Sequence, residues 1–471
     1  MSIVRIYPSK SNTIASGPFG LYNSSQNEVM DLWYGGGVEQ GGTDFKNSIS
    51  RHIVYFDMSE IFGKFSRKEI MSGSVSSYTL KMRNSVPRDF ILKEDLEFDR
   101  IGKNVASSYD LIFFPINKFW DEGRGWDLSE QKYLTHSSGI PRLTGYSNWD
   151  FATSSTSWDE PGVFTNPSAS TTVVTQHFSI GDEDINVNIT PIVNDWLTGG
   201  TNYGIGIAFR RDYELISSTT RQIASFHTQK TNFYFKPFIE VKYDQTIKDD
   251  RDNVVNNRVS RLFLYTFSGG QSVNFYSSST VTILNSSNNV VHSNLQPTQM
   301  SKGVYYVDVF MSGASAGQIY KDVWNNVTFD PAYDLQNIEQ TFTIQKNYFT
   351  SQKPKINEYN IDVYGIPEGG ILYNDQLIRV FCDIRTNYSI KSPKNLYNLK
   401  YKIVLNEQEE IITWTDVNQV FINNEKNNYF DLDTSWLLHN QMYKILFKID
   451  EYGTSRILEK TIKFKVLRPF N

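Results

Sequence analysis

Apolar and polar residues alternate in short stretches along most of this chain, and runs at helical spacing are rare. The alternation starts at residues 3–7. It returns in "SISRHIVYFDMSEI" (48–61), "VSSYTLKMRN" (75–84), "YDLIFFPINKFWDEG" (109–123), "TTVVTQHFSI" (171–180) and "NFYFKPFIEVKYD" (232–244). Within 48–61 both alternating sets are apolar in part, which predicts a strand covered on both faces. Short strands separated by turn residues predict a sandwich or jelly roll, with helix well below the usual third of residues.

One segment breaks the period. "TPIVNDWLTGG" (190–200) predicts a short helix, with Thr190 as N-cap and Pro191 at the first helical position. Ile192, Val193, Trp196 and Leu197 form one inward apolar face, and Gly199 and Gly200 end the helix at positive φ. Such a helix plugs the open end of a sandwich. We read Thr190, Pro191, Trp196 and Leu197 as scaffold rather than as a ligand site.

Beyond residue 244 the pattern stops and restarts. "DQTIKDDRDNVVNNRVS" (244–260) is polar, charged and free of aromatics, and reads as a linker. "RLFLYTF", "SVNFYSS", "STVTILN", "GVYYVDVFMSG" and "QIYKDVWNNVTFD" then predict a small sandwich over 258–346. A second polar stretch at 347–357 precedes about seven strand patterns over 357–471, the number expected of an Ig-like domain. The predicted fold is all-β: a jelly-roll sandwich over 1–245 and two smaller Ig-like sandwiches.

Composition sharpens this picture. The 471 residues include 28 Tyr and 31 Phe, so the cores rely on aromatic rings. The net charge of −5 comes with no basic patch, which argues against nucleic acid as a partner. The single cysteine, Cys382, sits in an alternating strand, excludes a disulfide framework within the chain, and reads as a small buried hydrophobe. The opening "MSIVRIYPSK" has no apolar signal core and no run spans a bilayer. We therefore expect synthesis in a cytoplasm and no membrane partner.

Ordered motifs over residues 1–245 carry a resemblance. "SRHIVYFDMSEI" (with Arg51, Phe56 and Asp57), "YTLKMRN", "FWDEGRGWDL", "SNWDFATSSTSWDEPGV", "TPIVNDWLTG", "NYGIGIAF", "SFHTQ" and "KPFIEVKYD" resemble the DNRLRE-type sandwich, a carbohydrate-binding-module-like jelly roll. The chain departs from that pattern in "SFHTQKTNFYF", where an aromatic insertion precedes the last strand. The opening "IVRIYPSKSNTI", "EVMDLWYGG" and the closing "FDLDTSWLLHNQMYKILFKID" and "KTIKFKVL" are similar in style to structural proteins of tailed-bacteriophage virions.

Catalytic chemistry finds little support. The six histidines, 52, 136, 177, 227, 292 and 439, have no zinc spacing, and no phosphate-binding or nucleophile motif appears. "YGGGVEQGG" (34–42) reads as a hairpin turn. Asp121 and Glu122 in "FWDEGRGW", and Asp159 and Glu160 in "SWDEP", are neighbours in their loops, whereas glycosidases set two carboxyls across a cleft. "GDEDIN" (181–186) and "DDRDN" (249–253) are oxygen-rich, but read as solvated turns rather than calcium loops. We expect no catalytic residue, metal or cofactor. Trp120, Trp126, Trp149 and Trp158 lie in one sequence region and offer a candidate sugar platform, although the same rings can fill a core beneath loops.

The expected function is therefore structural. The resemblance implies a virion component at the tail, neck or collar, made in the bacterial host cytoplasm and partnered by other virion proteins and copies of itself. The alternative is a carbohydrate-binding or adhesin module that contacts host-surface glycans.

Overall fold

The computed structural model describes residues 2–17, 23–34, 49–85, 108–125, 146–163, 172–215, 222–275, 278–328, 336–345, 359–386, 399–406, 409–422, 425–451 and 454–468. The chain is all-β and builds several sandwiches. Among the described residues the α-helices are short: α1 (Ser59–Ser66), α2 (Thr190–Leu197) and α3 (Arg211–Leu215). Two compact units emerge. One comprises residues 3–62 and 75–242; the other comprises 243–471 with 1–2 and 63–74.

The first unit uses β1 (Ser2–Ile6), β2 (Pro8–Ala15), β3 (Val29–Tyr34), β4 (Ser50–Phe56), β5 (Val75–Met82), β6 (Tyr109–Pro115), β7 (Val174–Phe178), β8 (Ile185–Asn188), β9 (Ile205–Phe209), β10 (Gln222–His227) and β11 (Phe238–Tyr243). Its sheets run β1-β11-β5-β8 and β2-β4-β9-β6-β7, with β10 and β3 as a separate pair. Early and late strands interleave, as in a jelly-roll sandwich. Tyr34, Tyr109, Phe178, Phe209 and Phe226 join the pair to the five-stranded sheet through ring contacts. β4 is buried on both faces, as its residues predict.

Helix α2 forms where the sequence places it, with two corrections. Thr190 does not cap it: Ile189 holds the N-cap position without a side-chain bond. The Thr190 hydroxyl instead accepts the Tyr78 N–H at 2.9 Å and donates to Asn188 Oδ1 at 2.6 Å, tying the helix to β5. Leu197 is 37% exposed, because the inward arc holds only Ile192, Val193 and Trp196. Pro191 sits in the first turn, and Gly199 ends the helix at φ 117°, whereas Gly200 does not take the positive φ expected of it.

The second unit holds two sandwiches. The middle one uses β12 (Val254–Val255), β13 (Val259–Tyr265), β14 (Phe267–Ser268), β15 (Gln271–Ser272), β16 (Thr280–Asn285), β17 (Val290–Leu295), β18 (Thr298–Ser301), β19 (Val304–Phe310), β20 (Ile319–Val327) and β21 (Gln336–Gln345). Its sheets run β12-β21-β20-β16-β17 and β13-β19-β18 around Leu262, Leu264, Val281, Ile283 and Trp324, with the β14–β15 hairpin apart. The C-terminal one uses β22 (Tyr359–Tyr364), β23 (Gly370–Tyr373), β24 (Leu377–Thr386), β25 (Leu399–Leu405), β26 (Glu409–Asp416), β27 (Asn418–Ile422), β28 (Glu425–Asp433), β29 (Met442–Glu451), β30 (Thr454–Ile457) and β31 (Ile462–Leu467). Its sheets run β22-β24-β28-β27 and β23-β31-β29-β25-β26, with β30 on β29. Ten described strands replace the seven expected, because short edge pieces such as β23 and β30 left no pattern of their own. Cys382 is buried on β24, and burial pushes its thiol up, as its strand setting predicts.

The linker reading of 244–260 is wrong. The segment contains β12 and the start of β13, and buries Asp249, Arg251, Val254 and Val255. The stretch at 347–357 lies outside the described residues.

Candidate functional site

The tryptophan region of the first unit forms a core under loops. Trp120 and Trp158 are 2% and 5% exposed, and their indole N–H groups donate to the carbonyls of Tyr203 (2.8 Å) and Asn148 (2.7 Å). They pack with Ile53, Ile112 and Phe114. Trp149 is partly buried beneath the Arg51 guanidinium, 4.9 Å from its ring centre. Arg51 is bound at both ends of its fork: it pairs with Glu214 through Nε and Nη2 (3.1 and 2.6 Å), and Nη1 donates to the Gly162 carbonyl at 2.7 Å. Trp126 lies outside the described residues. Two of the four rings are therefore closed to a sugar face. Among the described residues of this unit, Phe119, Phe151, Phe233 and Phe235 are exposed rings that were not singled out from the sequence.

Asparagine stitches the loops around this core. Asn12 Nδ2 donates to the Ser147 carbonyl, as does Asn23 Nδ2, which also reaches the Glu122 carbonyl at 2.7 Å. Gly123, at φ 90°, lies where a Cβ would strike the Asn23 amide. One acid of each pair has structural partners. Glu122 accepts from the Ser11 N–H (3.1 Å) and pairs with Lys230 (3.2 Å). Asp159 is held by Lys118 and Asn117, whose hydrogen bonds lower its pKa. In 181–186, Glu183 caps a turn by accepting the N–H groups of Ser179, Ile180 and Gly181, so its oxygens are committed. No group of three or more metal-ligating side chains occurs among the described residues.

One surface arrangement has the connectivity of a hydrolase triad. Ser108 Oγ lies 3.4 Å from His177 Nε2, and His177 Nδ1 lies 2.7 Å from Asp110 Oδ1. Its setting is that of a cross-strand surface network. Asp110 and His177 are register partners on β6 and β7, and the histidine side chain is 59% exposed. The other Asp110 oxygen is taken by Arg210 at 2.8 Å and Tyr213 at 3.3 Å.

The densest buried chemistry is where the middle and C-terminal sandwiches meet. Residues 247–249 add to β27, the edge of the four-stranded sheet. The Gln419 N–H donates to the Ile247 carbonyl at 2.8 Å, and the Asp249 N–H donates to the Gln419 carbonyl at 3.0 Å. Lys248 pairs with Asp416 at 3.0 Å. Ile247, Phe263, Val304, Val420 and Tyr429 form an apolar cluster, with Tyr265, Met300 and Tyr306 around it. At the rims, Arg261 and Arg379 each bind a cross-strand partner, Asp308 and Asp431, through two donors and stack over Tyr306 and Tyr429.

Beside this cluster Arg251 enters the middle sandwich. It pairs with the fully buried Asp322 through Nη1 (2.5 Å) and Nη2 (2.9 Å), and Nη2 also donates to the Phe263 carbonyl at 2.9 Å. Trp324 Nε1 donates to Asp322 as well, at 2.9 Å. Asp249, 6% exposed, accepts the Arg251 N–H at 3.1 Å and the Tyr265 hydroxyl at 3.3 Å. Burial pushes its carboxyl up to about 7 against the pull of Arg251. Sequence reasoning missed this cluster. The available signal was Asp322, which shares a strand face with Tyr320 and Trp324 and so points inward.

No family model matches this chain, and no curated protein matches it. Solved structures match at low identity. The fibronectin(III)-like modules of Clostridium thermocellum CbhA are 12% identical, with coverage of 47% of this chain and 91% of that one and a TM-score of 0.16. Trypsin-activated alpha-2-macroglobulin from Escherichia coli is 9% identical over 77% of this chain and 29% of that one, TM-score 0.18. The four N-terminal Ig domains of Dscam1 isoform 8.4 are 11% identical over 46% and 49%, TM-score 0.15.

Proposed function

We propose that this chain is a structural component of a tailed-bacteriophage virion, at the tail, neck or collar, acting by assembly with copies of itself and other virion proteins. The observation that supports an assembling body is the second unit. Its two sandwiches share an apolar cluster and a strand addition, while large apolar side chains stand exposed on their strands: Val259 opposite Phe310, Ile319, Tyr364 opposite Phe381, and Leu377. The cross-strand pairs Val259–Phe310 and Tyr364–Phe381 each place two exposed apolar side chains side by side, the kind of surface that partners cover. The virion assignment adds the resemblance carried by the opening and closing segments. Imaging and mass spectrometry of purified particles test it: the expected result is a fixed, symmetric copy number, and absence from the particles overturns it. The glycan reading loses two of its four rings to burial. A panel of host glycans should show no binding; affinity that disappears in Trp126→Ala with the fold intact would restore that reading.

A further inference from the structure

The cluster between the two later sandwiches holds an unequal charge count. Arg251 is engaged at both terminal nitrogens by Asp322, and that pair balances itself. Asp249 is the additional carboxylate. It is buried beside that pair and is met by a backbone N–H and a phenol rather than by a cation of its own. A carboxylate so placed is costly to ionise. Its N–H is also one of the bonds that hold residues 247–249 to β27.

We propose that residues 247–251 are a proton-responsive clasp, in which ionisation of Asp249 loosens the attachment of this segment to the C-terminal sandwich.

The groups around Asp249 set the direction. Asp250 and Arg251 come from the segment itself, Asp322 from β20 and Tyr265 from β13; Tyr429 on β28 lies beyond Tyr265. The Lys248–Asp416 pair neutralises itself on the C-terminal side. Asp250 is also pushed up by burial, and accepts the Arg261 N–H at 2.8 Å. Asp249 has its raised value only while it is enclosed. Between the ordinary carboxylate value near 4 and about 7, the opened segment binds fewer protons than the closed one. Closure is therefore fully favoured at the acid end of that window, weakens as pH rises through it, and is weakest and constant above it.

Hydrogen exchange on the full-length chain, corrected for the intrinsic pH dependence of exchange, reads this directly at the Asp249 and Gln419 amides. Wild type should open up to about tenfold more per pH unit between pH 5 and 7, then level off. Asp249→Asn should stay near the low-opening level, with most of the wild-type slope lost. A wild-type chain that is flat, or an Asp249→Asn chain with the wild-type slope, overturns the proposal. If Asp249→Asn does not fold, carbon-detected NMR titration of wild type replaces it. An Asp249 midpoint between pH 5.5 and 8 supports the clasp, and one outside that range overturns it.

Discussion

His52 in the first unit and Asp249 in the second are both sealed from water, and the same cause moves them in opposite directions along the pH axis. His52 is 1% exposed; its Nδ1 lies 3.0 Å from Thr13 Oγ1, and its Nε2 has no hydrogen-bond partner. Burial holds it down to about 3. The charged form of histidine is the protonated one and that of aspartate the deprotonated one, so desolvation makes the first ring acid-sensitive and the second carboxyl base-sensitive. Between pH 6.5 and about 3 the unfolded first unit binds the extra proton at His52, and stability falls as pH falls. Between about 4 and 7 the second unit carries the extra proton at Asp249, and stability falls as pH rises. Depth of burial therefore fixes the size of a pH effect, and the sign of the charge fixes its direction.

The strongest way to break this comparison is Arg251→Ala. It leaves Asp322 and Asp249 buried without a cation, and should cost the second unit about 3–5 kcal/mol at neutral pH in urea unfolding. A loss below about 1 kcal/mol would mean that water reaches the cluster. Trp196→Ala comes next. The ring is 6% exposed and its Nε1, like His52 Nε2, is buried without a partner; removing it should cost the first unit about 3 kcal/mol. A variant that melts with wild type would show that α2 does not seal the sandwich.

His52→Gln sharpens the pH contrast. It keeps a polar group near Thr13 but cannot titrate, so the acid limb of the first unit should flatten by about 2.7 kcal/mol at pH 4.5 relative to wild type. An unchanged limb would assign acid sensitivity to other groups. The smallest effect belongs to Gly199→Ala. The φ of 117° strains any side chain even though the space is open, and about 1 kcal/mol should be lost in thermal melting.

Strand patterns made the fold legible because burial on one face or two leaves a direct mark on the sequence. "LFL" (262–264) is the clearest case: Leu262 and Leu264 face the middle core and Phe263 faces the C-terminal sandwich, so all three residues are apolar. Helix α2 was legible from local residues alone, while the roles of Thr190 and Leu197 depended on Tyr78 and on how little of the helix arc is covered. The charge cluster was hidden because its members are 71 residues apart in sequence, and Arg251 sits among charges that elsewhere mark a solvated segment. The tryptophans showed a related limit. Their shared region was plain, but whether a ring faces water depends on loops stitched by Asn12 and Asn23, whose sequence signal is simply that of a turn.

The strand addition at β27 also imposes an order in time. Ile247 and its partner Asn418 are separated by 171 residues, so the clasp is among the last parts of the second unit that a ribosome can complete. At roughly 5–20 residues per second, the outer faces of Phe263 and Tyr265 wait on the order of 10–35 seconds for their cover. Throughout that interval the nascent middle sandwich carries an uncovered aromatic face. Chaperone occupancy on the growing chain should therefore peak while residues 265–418 are being made and fall once β27 and β28 have emerged.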